Sequence, residues 1–163
     1  KEVKPLFPSD ARIHFIGHLQ SNKVGKVLRE NIFLIQSVDS YELAEKINKH
    51  SIGLKKVQKI LLQVKTDNNK KYGIGCRQLE GIFSKIKNNL KNVEINGLMT
   101  IPPIGEKPED SRTYFSLVKK LFDEMQKKSD AGFEYLSMGM SDDYRIAIEE
   151  GANMVRIGRI IFE

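Results

Sequence analysis

Apolar and polar residues alternate in blocks along the chain, and the blocks differ in period. Short runs rich in Val, Ile, Leu and Phe are apolar on both faces, which is typical of strands buried in a parallel sheet. They predict six strands, at residues 12–16, 32–38, 57–64, 93–100, 133–138 and 154–158. Between them, apolar residues recur at spacings of three and four, as on one face of a helix. These blocks predict five helices, at residues 21–29, 40–49, 77–90, 110–127 and 142–150.

The regular alternation of strand and helix predicts an α/β fold with right-handed crossovers and a parallel sheet covered by helices. In the helix predicted over residues 110–127, one buried stripe is expected. Its members are Tyr114, Leu117, Val118, Leu121, Phe122 and Met125. Two architectures accommodate these elements, most of a (β/α)8 TIM barrel or an open doubly wound sheet. Because residue 1 is Lys and the chain stops just past a predicted strand, we expect residues 1–163 to form a single, partial barrel domain of a longer protein.

Charge and cysteine content narrow the class of protein. Lys and Arg number 27 against 21 Asp and Glu, a net charge of +6. The lysines are spread over the predicted helices with apolar residues between them, which favours solvated helix faces over a nucleic-acid surface. No run approaches the ~20 apolar residues of a membrane span, and one cysteine, Cys76, allows no internal disulfide. We therefore expect a globular cytoplasmic protein that binds neither membrane nor nucleic acid.

The loop after the fifth predicted strand is a candidate anion site, because ligands of parallel α/β folds lie at the carboxyl ends of the strands. Residues 136–143 lead from strand to helix through Gly139, with Ser141 predicted as the N-cap. Free N–H groups at such a point bind anions. Ordinary capping explains Ser141 equally well, and Asp142 and Asp143 would repel a phosphate placed close to them.

The loop after the sixth predicted strand is the second candidate. Arg156 stands among apolar residues, where a guanidinium is costly unless a ligand or a carboxylate pairs with it. Gly158 lets a ligand approach the backbone closely. Since barrels often hold phosphate in the loops after their last two strands, the pair of loops favours a ligand site.

Elsewhere the chemical signals are weaker. His14 and His18 flank the end of the first predicted strand and are either general bases or hydrogen-bonded strand-end residues. Residues 73–75, Gly-Ile-Gly, are interpreted as a turn. The sequence holds no nucleophile elbow, no phosphate-binding glycine fingerprint and no spacing typical of metal ligands.

Five segments, taken in order, carry a family resemblance. They are residues 14–23 (HFIGHLQSNK), 37–39 (SVD), 97–100 (GLMT), 136–141 (LSMGMS) and 155–158 (VRIG). Together they resemble the motifs of the pyridoxal-phosphate homeostasis protein family, and the likeness runs through essentially the whole chain. The first and fourth segments are the most specific.

The resemblance implies a barrel like the N-terminal domain of alanine racemase, with pyridoxal 5'-phosphate (PLP) at its C-terminal mouth. It implies a protein of vitamin B6 and amino-acid homeostasis without established turnover, active as a monomer or homodimer, that can serve PLP-dependent apoenzymes. The residues it places at the cofactor are Ser141, Arg156, Gly158, Met99, His18 and Ser137. The alternative on the same barrel is a PLP-dependent amino-acid racemase, which needs a second acid/base group such as a tyrosine.

The sequence also departs from the family pattern. By the resemblance, the lysine that binds the cofactor covalently lies on the first barrel strand, so we expect the first two βα units, and that lysine, to lie upstream of this sequence. Binding by this chain would then rest on noncovalent contacts, which are weaker. Lys65 stands where an asparagine is usual, and Arg159 replaces a small hydroxyl residue, where it either adds a phosphate contact or blocks one.

Overall fold

The computed structural model describes residue 8 and residues 10–67, 71–103, 105–129 and 131–162. Within them, strands and helices alternate along the chain. The strands are β1 (His14–Phe15), β2 (Leu34–Val38), β3 (Gln58–Lys65), β4 (Ile74–Gly75), β5 (Val93–Thr100), β6 (Tyr135–Met140) and β7 (Met154–Arg156). The helices are α1 (Val24–Leu28), α2 (Tyr41–Gly53), α3 (Cys76–Asn89), α4 (Arg112–Lys127), α5 (Tyr144–Glu149) and α6 (Arg159–Phe162). Short 3₁₀ turns at Ser21–Lys23 and Pro108–Ser111 precede α1 and α4.

The strands form one parallel sheet in the order β1-β2-β3-β5-β6-β7, with the short β4 beside the end of β3. Side chains of β2 and β6 meet on one face, since the Ser137 hydroxyl donates to Gln36 Oε1 at 2.6 Å. In a flat sheet three strand spacings, about 14 Å, would separate these strands. The sheet therefore curls into part of a barrel, which confirms the barrel prediction over the open sheet.

The curl gives the sheet two different faces. The outer face packs against the helices in the main apolar core, to which Ile35, Leu62 and Leu98 contribute. The inner face holds a small apolar cluster built around Leu34 and Met99, with the polar side chains of β1, β2, β6 and β7 beside it. Candidate ligand groups are thus gathered on a concave surface.

Local sequence accounts for the helices that cover the outer face. Ser40 caps α2 by accepting the backbone N–H of Leu43 at 3.2 Å. In α4 the buried stripe consists of Phe115, Val118, Phe122 and Met125. Leu117, predicted to lie in that stripe, is 39% exposed, so the stripe is rotated toward Phe115.

Two local predictions near strand ends are wrong. Residues 73–75 do not form a simple turn, because Ile74–Gly75 pairs with β3 as β4. Gly139 does not lead out of a strand, because β6 continues to Met140. Its φ is +91°, and a Cβ there would lie 2.6 Å from the Cβ of Ala147, so this glycine lets α5 pack close to the sheet.

Two absences hold for the described part of the chain. None of its helices has both the length and the apolar character needed to cross a membrane. Among the same residues, no three His, Cys, Asp or Glu side chains come together as a possible metal site.

Candidate functional site

Arg156, at the end of β7, points into the concave face. Its Nη1 donates to the hydroxyl of Ser137 at 2.7 Å, and its Nη2 donates to the carbonyl of Thr100 at 2.8 Å. Two of the five N–H groups of the guanidinium are used in this way. Among the described residues, no carboxylate forms an ion pair with it.

The charge of Arg156 is poorly compensated. Burial lowers the pKa of Arg156 to about 10, because the charged form loses hydration, and the carboxylate of Asp143 opposes this only in part. A guanidinium remains protonated near pH 7 even so. The inner face therefore holds a partly buried positive charge with unused donors, which suits an anionic or strongly accepting ligand.

Ser137, on β6, links Arg156 to a longer hydrogen-bond chain. Ser137 is fully buried and donates to Gln36 Oε1. The amide nitrogen of Gln36 lies 2.9 Å from His14 Nδ1 and 3.2 Å from the sulfur of Met154. Four strands are joined across the concave face by this chain.

Ser141 lies in the loop that follows β6. It is not the N-cap of α5, because that helix begins at Tyr144 and its N-cap is Asp143. Instead, the Ser141 hydroxyl accepts the backbone N–H of Ile160 at 3.4 Å. This contact brings together the loops after β6 and β7, residues 141–143 and 157–158, which we term the mouth loops.

The two aspartates of the first mouth loop are both engaged. Asp142 forms an ion pair with Arg159 just after the second loop. Asp143 accepts the backbone N–H of Met140 at 2.7 Å and the hydroxyl of Ser111 at 3.1 Å. Arg159 thus neutralises one of the carboxylates expected to repel a phosphate.

Gly158, in the second mouth loop, is exposed, and a Cβ built there meets no atom within 4 Å. The space above its backbone is open to a ligand. Ser141 and Gly158 thus lie in the mouth loops, whereas the Arg156 guanidinium contacts Ser137 within β6 and the carbonyl of Thr100 at the end of β5.

Met99 adjoins this group, because it is the register partner of Ser137 on the neighbouring strand, whereas His18 lies in the loop after β1. Met99 is fully buried in the inner apolar cluster. His18 stacks on Tyr72 with ring centroids 3.8 Å apart, and its Nδ1 lies 3.6 Å from a carboxylate oxygen of Asp39.

Sequence reasoning did not select three residues that the structure joins to the site. Gln36 carries the hydrogen-bond chain, Thr100 accepts from Arg156 through its carbonyl, and Asp143 holds the first mouth loop. Gln36 left a signal, since it is a polar residue in an otherwise apolar strand run. Thr100 left none, because its contact with Arg156 is distant in sequence, whereas Asp143 binds Met140 only three residues away and was expected only to repel a phosphate.

Comparisons with known proteins agree with this architecture. A family profile for the alanine racemase N-terminal domain matches residues 1–163. A pyridoxal phosphate homeostasis protein of Aquifex aeolicus is 42% identical over 163 residues, covering 99% of this chain and 71% of that protein. PipY of Synechococcus elongatus, solved with PLP bound, superposes with a TM-score of 0.86 at 33% identity, over 99% of this chain and 74% of that one.

More distant likeness concerns the fold alone. Alanine racemase of Clostridium difficile superposes with a TM-score of 0.74 at 18% identity, covering 99% of this chain and 41% of the racemase. The curled parallel sheet and its helices are thus shared with the barrel of that enzyme. Profile, sequence identity and structure together establish that the chain belongs to the pyridoxal phosphate homeostasis protein family, within the alanine racemase N-terminal domain fold.

Proposed function

We propose that this protein binds PLP at the mouth loops and holds it without turnover, as a carrier or buffer of the cofactor in the cytosol. Arg156 carries the proposal, because it places a partly buried, poorly compensated positive charge beside two adjoining loops. PLP offers a phosphate dianion and a pyridine ring, both of which accept hydrogen bonds. The homologue PipY was solved with PLP bound.

The donor set fits such a ligand. The Arg156 guanidinium has N–H groups to spare, and its two fixed contacts hold its plane in place. Gly158 leaves the approach to the backbone open. The ion pair between Arg159 and Asp142 limits repulsion at the first mouth loop. When bound, PLP supplies a reactive aldehyde, whereas these residues bind, orient and balance charge.

Retention without turnover is the part of the proposal that separates this protein from a racemase. A racemase needs an acid/base group on each side of the cofactor. Within the part of the chain that the structure describes, no tyrosine hydroxyl forms a hydrogen bond with Ser137, Ser141 or Arg156. The ring of Tyr72 stacks on the ring of His18. We therefore expect no interconversion of L- and D-alanine by the purified protein with PLP, as measured by chiral chromatography. Sustained interconversion would favour the racemase alternative.

Equilibrium dialysis with PLP and with pyridoxal tests the proposed site. We expect PLP to bind more tightly than pyridoxal, because pyridoxal lacks the phosphate. Gly158→Ala places a methyl group in the open space of the mouth and should weaken PLP binding at least about tenfold, a loss of roughly 1.4 kcal/mol. Its fold should survive, since the added Cβ meets nothing.

Gly81→Ala is the matched control. Gly81 lies in α3, and a Cβ there also meets no atom within 4 Å. We expect this variant to bind PLP as tightly as the wild type. Equal affinity in Gly158→Ala, or equal affinity for PLP and pyridoxal, would show that the mouth loops are not the phosphate site.

A further inference from the structure

The hydrogen-bond chain behind Arg156 has a defined direction. A guanidinium only donates, so Ser137 Oγ must accept from Arg156. The one proton of the Ser137 hydroxyl then goes to Gln36 Oε1, 2.6 Å away. The Gln36 amide nitrogen consequently faces His14 Nδ1 at 2.9 Å, which must be an acceptor. Each donor and acceptor in this chain is fixed by the previous one.

Gln36 is well held in this arrangement. Gln36 is only 2% exposed, so its amide cannot exchange these hydrogen bonds for bonds to bulk water. Both amide N–H groups have acceptors, one in His14 and the other in the sulfur of Met154 at 3.2 Å. Rotation of the amide by 180° would set its NH₂ group against Ser137 and leave Met154 without a donor.

His14 is held in the neutral, accepting form. Burial lowers the pKa of His14, and the positive charge of Arg12 lowers it further. His14 stacks on Phe33 with ring centroids 5.6 Å apart. The Arg12 guanidinium and the Lys59 ammonium also lie over the Phe33 ring. Of these two cations, Arg12 is the one whose charge lowers the pKa of His14 and so opposes a proton on its ring.

We propose that Gln36 is a positioning residue, which fixes the orientation of Arg156 through Ser137, with His14 as the terminal acceptor of the chain. This inference rests on the proposed function, since Arg156 is the group that would meet the cofactor. A proton on His14 Nδ1 would place two donors face to face. The Gln36 amide would then turn, Ser137 would lose its acceptor, and the grip on Arg156 would loosen.

Replacement of Gln36 tests the positioning role. Gln36→Met keeps the length of the side chain but removes both the accepting oxygen and the donating NH₂ group of the amide. Gln58→Met is the matched control, because Gln58 is also buried in the sheet and donates to carbonyls of Ile32, Phe33 and Lys59, away from Arg156. Both variants should lose stability, whereas only Gln36→Met should free the guanidinium.

The first measurement needs no ligand. Side-chain NMR of the full-length protein reports rotation of the Arg156 guanidinium, with its signals assigned by their loss in Arg156→Met. We expect hindered rotation in the wild type and in Gln58→Met, and faster rotation in Gln36→Met. Unchanged rotation in Gln36→Met would overturn the positioning role, whether or not PLP binds.

The second measurement is the pH dependence of PLP affinity. PLP affinity should fall about tenfold in Gln36→Met at pH 7.5, the loss expected for one weakened hydrogen-bond system. Between pH 7.5 and 5.5 the wild type should lose more affinity than His14→Gln, whose amide oxygen accepts at every pH. Identical pH profiles would refute the role of His14. A wild type that does not bind PLP at all would refute the proposed function but leave the NMR result standing.

Discussion

Replacement of Arg156 by Met should separate ligand binding from stability. The pKa of Arg156, lowered to about 10, lies two to three units below the usual value. At about 1.4 kcal/mol per unit, the buried charge costs about 3 kcal/mol. Met keeps most of the apolar volume and removes that cost, so the substitution gains stability from this source.

Lost hydrogen bonds oppose the gain. Arg156 donates to Ser137 and to the Thr100 carbonyl, and charged hydrogen bonds contribute roughly 1.5–3 kcal/mol each. The Thr100 carbonyl also loses its side-chain donor. Two such bonds amount to roughly 3–6 kcal/mol against a gain of about 3 kcal/mol, so we expect the free energy of unfolding of Arg156→Met to fall by no more than about 3 kcal/mol. The affinity for PLP should fall at least about a hundredfold, close to 3 kcal/mol.

Urea denaturation gives the free energy of unfolding, and equilibrium dialysis gives the affinity. Arg145→Met is the control, because Arg145 is an exposed arginine on α5 that donates to the hydroxyl of Tyr144; it should change neither quantity appreciably. A loss of more than about 3 kcal/mol of stability in Arg156→Met would show that the guanidinium is mainly structural. Unchanged affinity for PLP would refute its role as the ligand's partner.

Three further predictions concern stability alone and are measurable by urea or thermal denaturation. Gly97→Ala should lower the free energy of unfolding by at least about 3 kcal/mol or prevent folding, because φ is +148° and a Cβ would lie 1.9 Å from a carbonyl oxygen of β6. Gly81→Ala, in a helix, should instead raise it by up to about 1 kcal/mol. Ser40→Ala should cost about 1 kcal/mol by removing the cap on Leu43, and an unchanged midpoint would contradict this. Because the pKa of His14 is lowered in the folded state, the unfolded state takes up a proton at higher pH. The free energy of unfolding should therefore fall as the pH drops from 7.5 through the unfolded value of about 6.5. The free energy of unfolding of His14→Gln should fall less steeply, and parallel curves would contradict a neutral His14 in the folded state.

The order and type of most elements follow from the amino-acid pattern alone. Two-sided apolar runs alternating with helical periodicity favour a covered parallel sheet, because such strands must be buried on both faces and the intervening helices serve as crossovers that cover them. The sequence also predicts that Arg156 and Gly158 lie near the carboxyl end of a strand, and the carboxyl ends of parallel strands share one edge of the sheet. Short elements such as β4 and α6 were missed, because four residues or fewer show no period.

Which face of each strand is concave, and which side chains meet there, depends on the three-dimensional arrangement of all the strands. A hydrogen bond between Gln36 and Ser137, separated by 101 positions, depends on the curl of the sheet, which accumulates from small twists between neighbouring strands. No pattern within a single strand or helix specifies the curl that accumulates in this way. For the same reason, the pairing of Arg159 with Asp142 depends on the two mouth loops lying side by side.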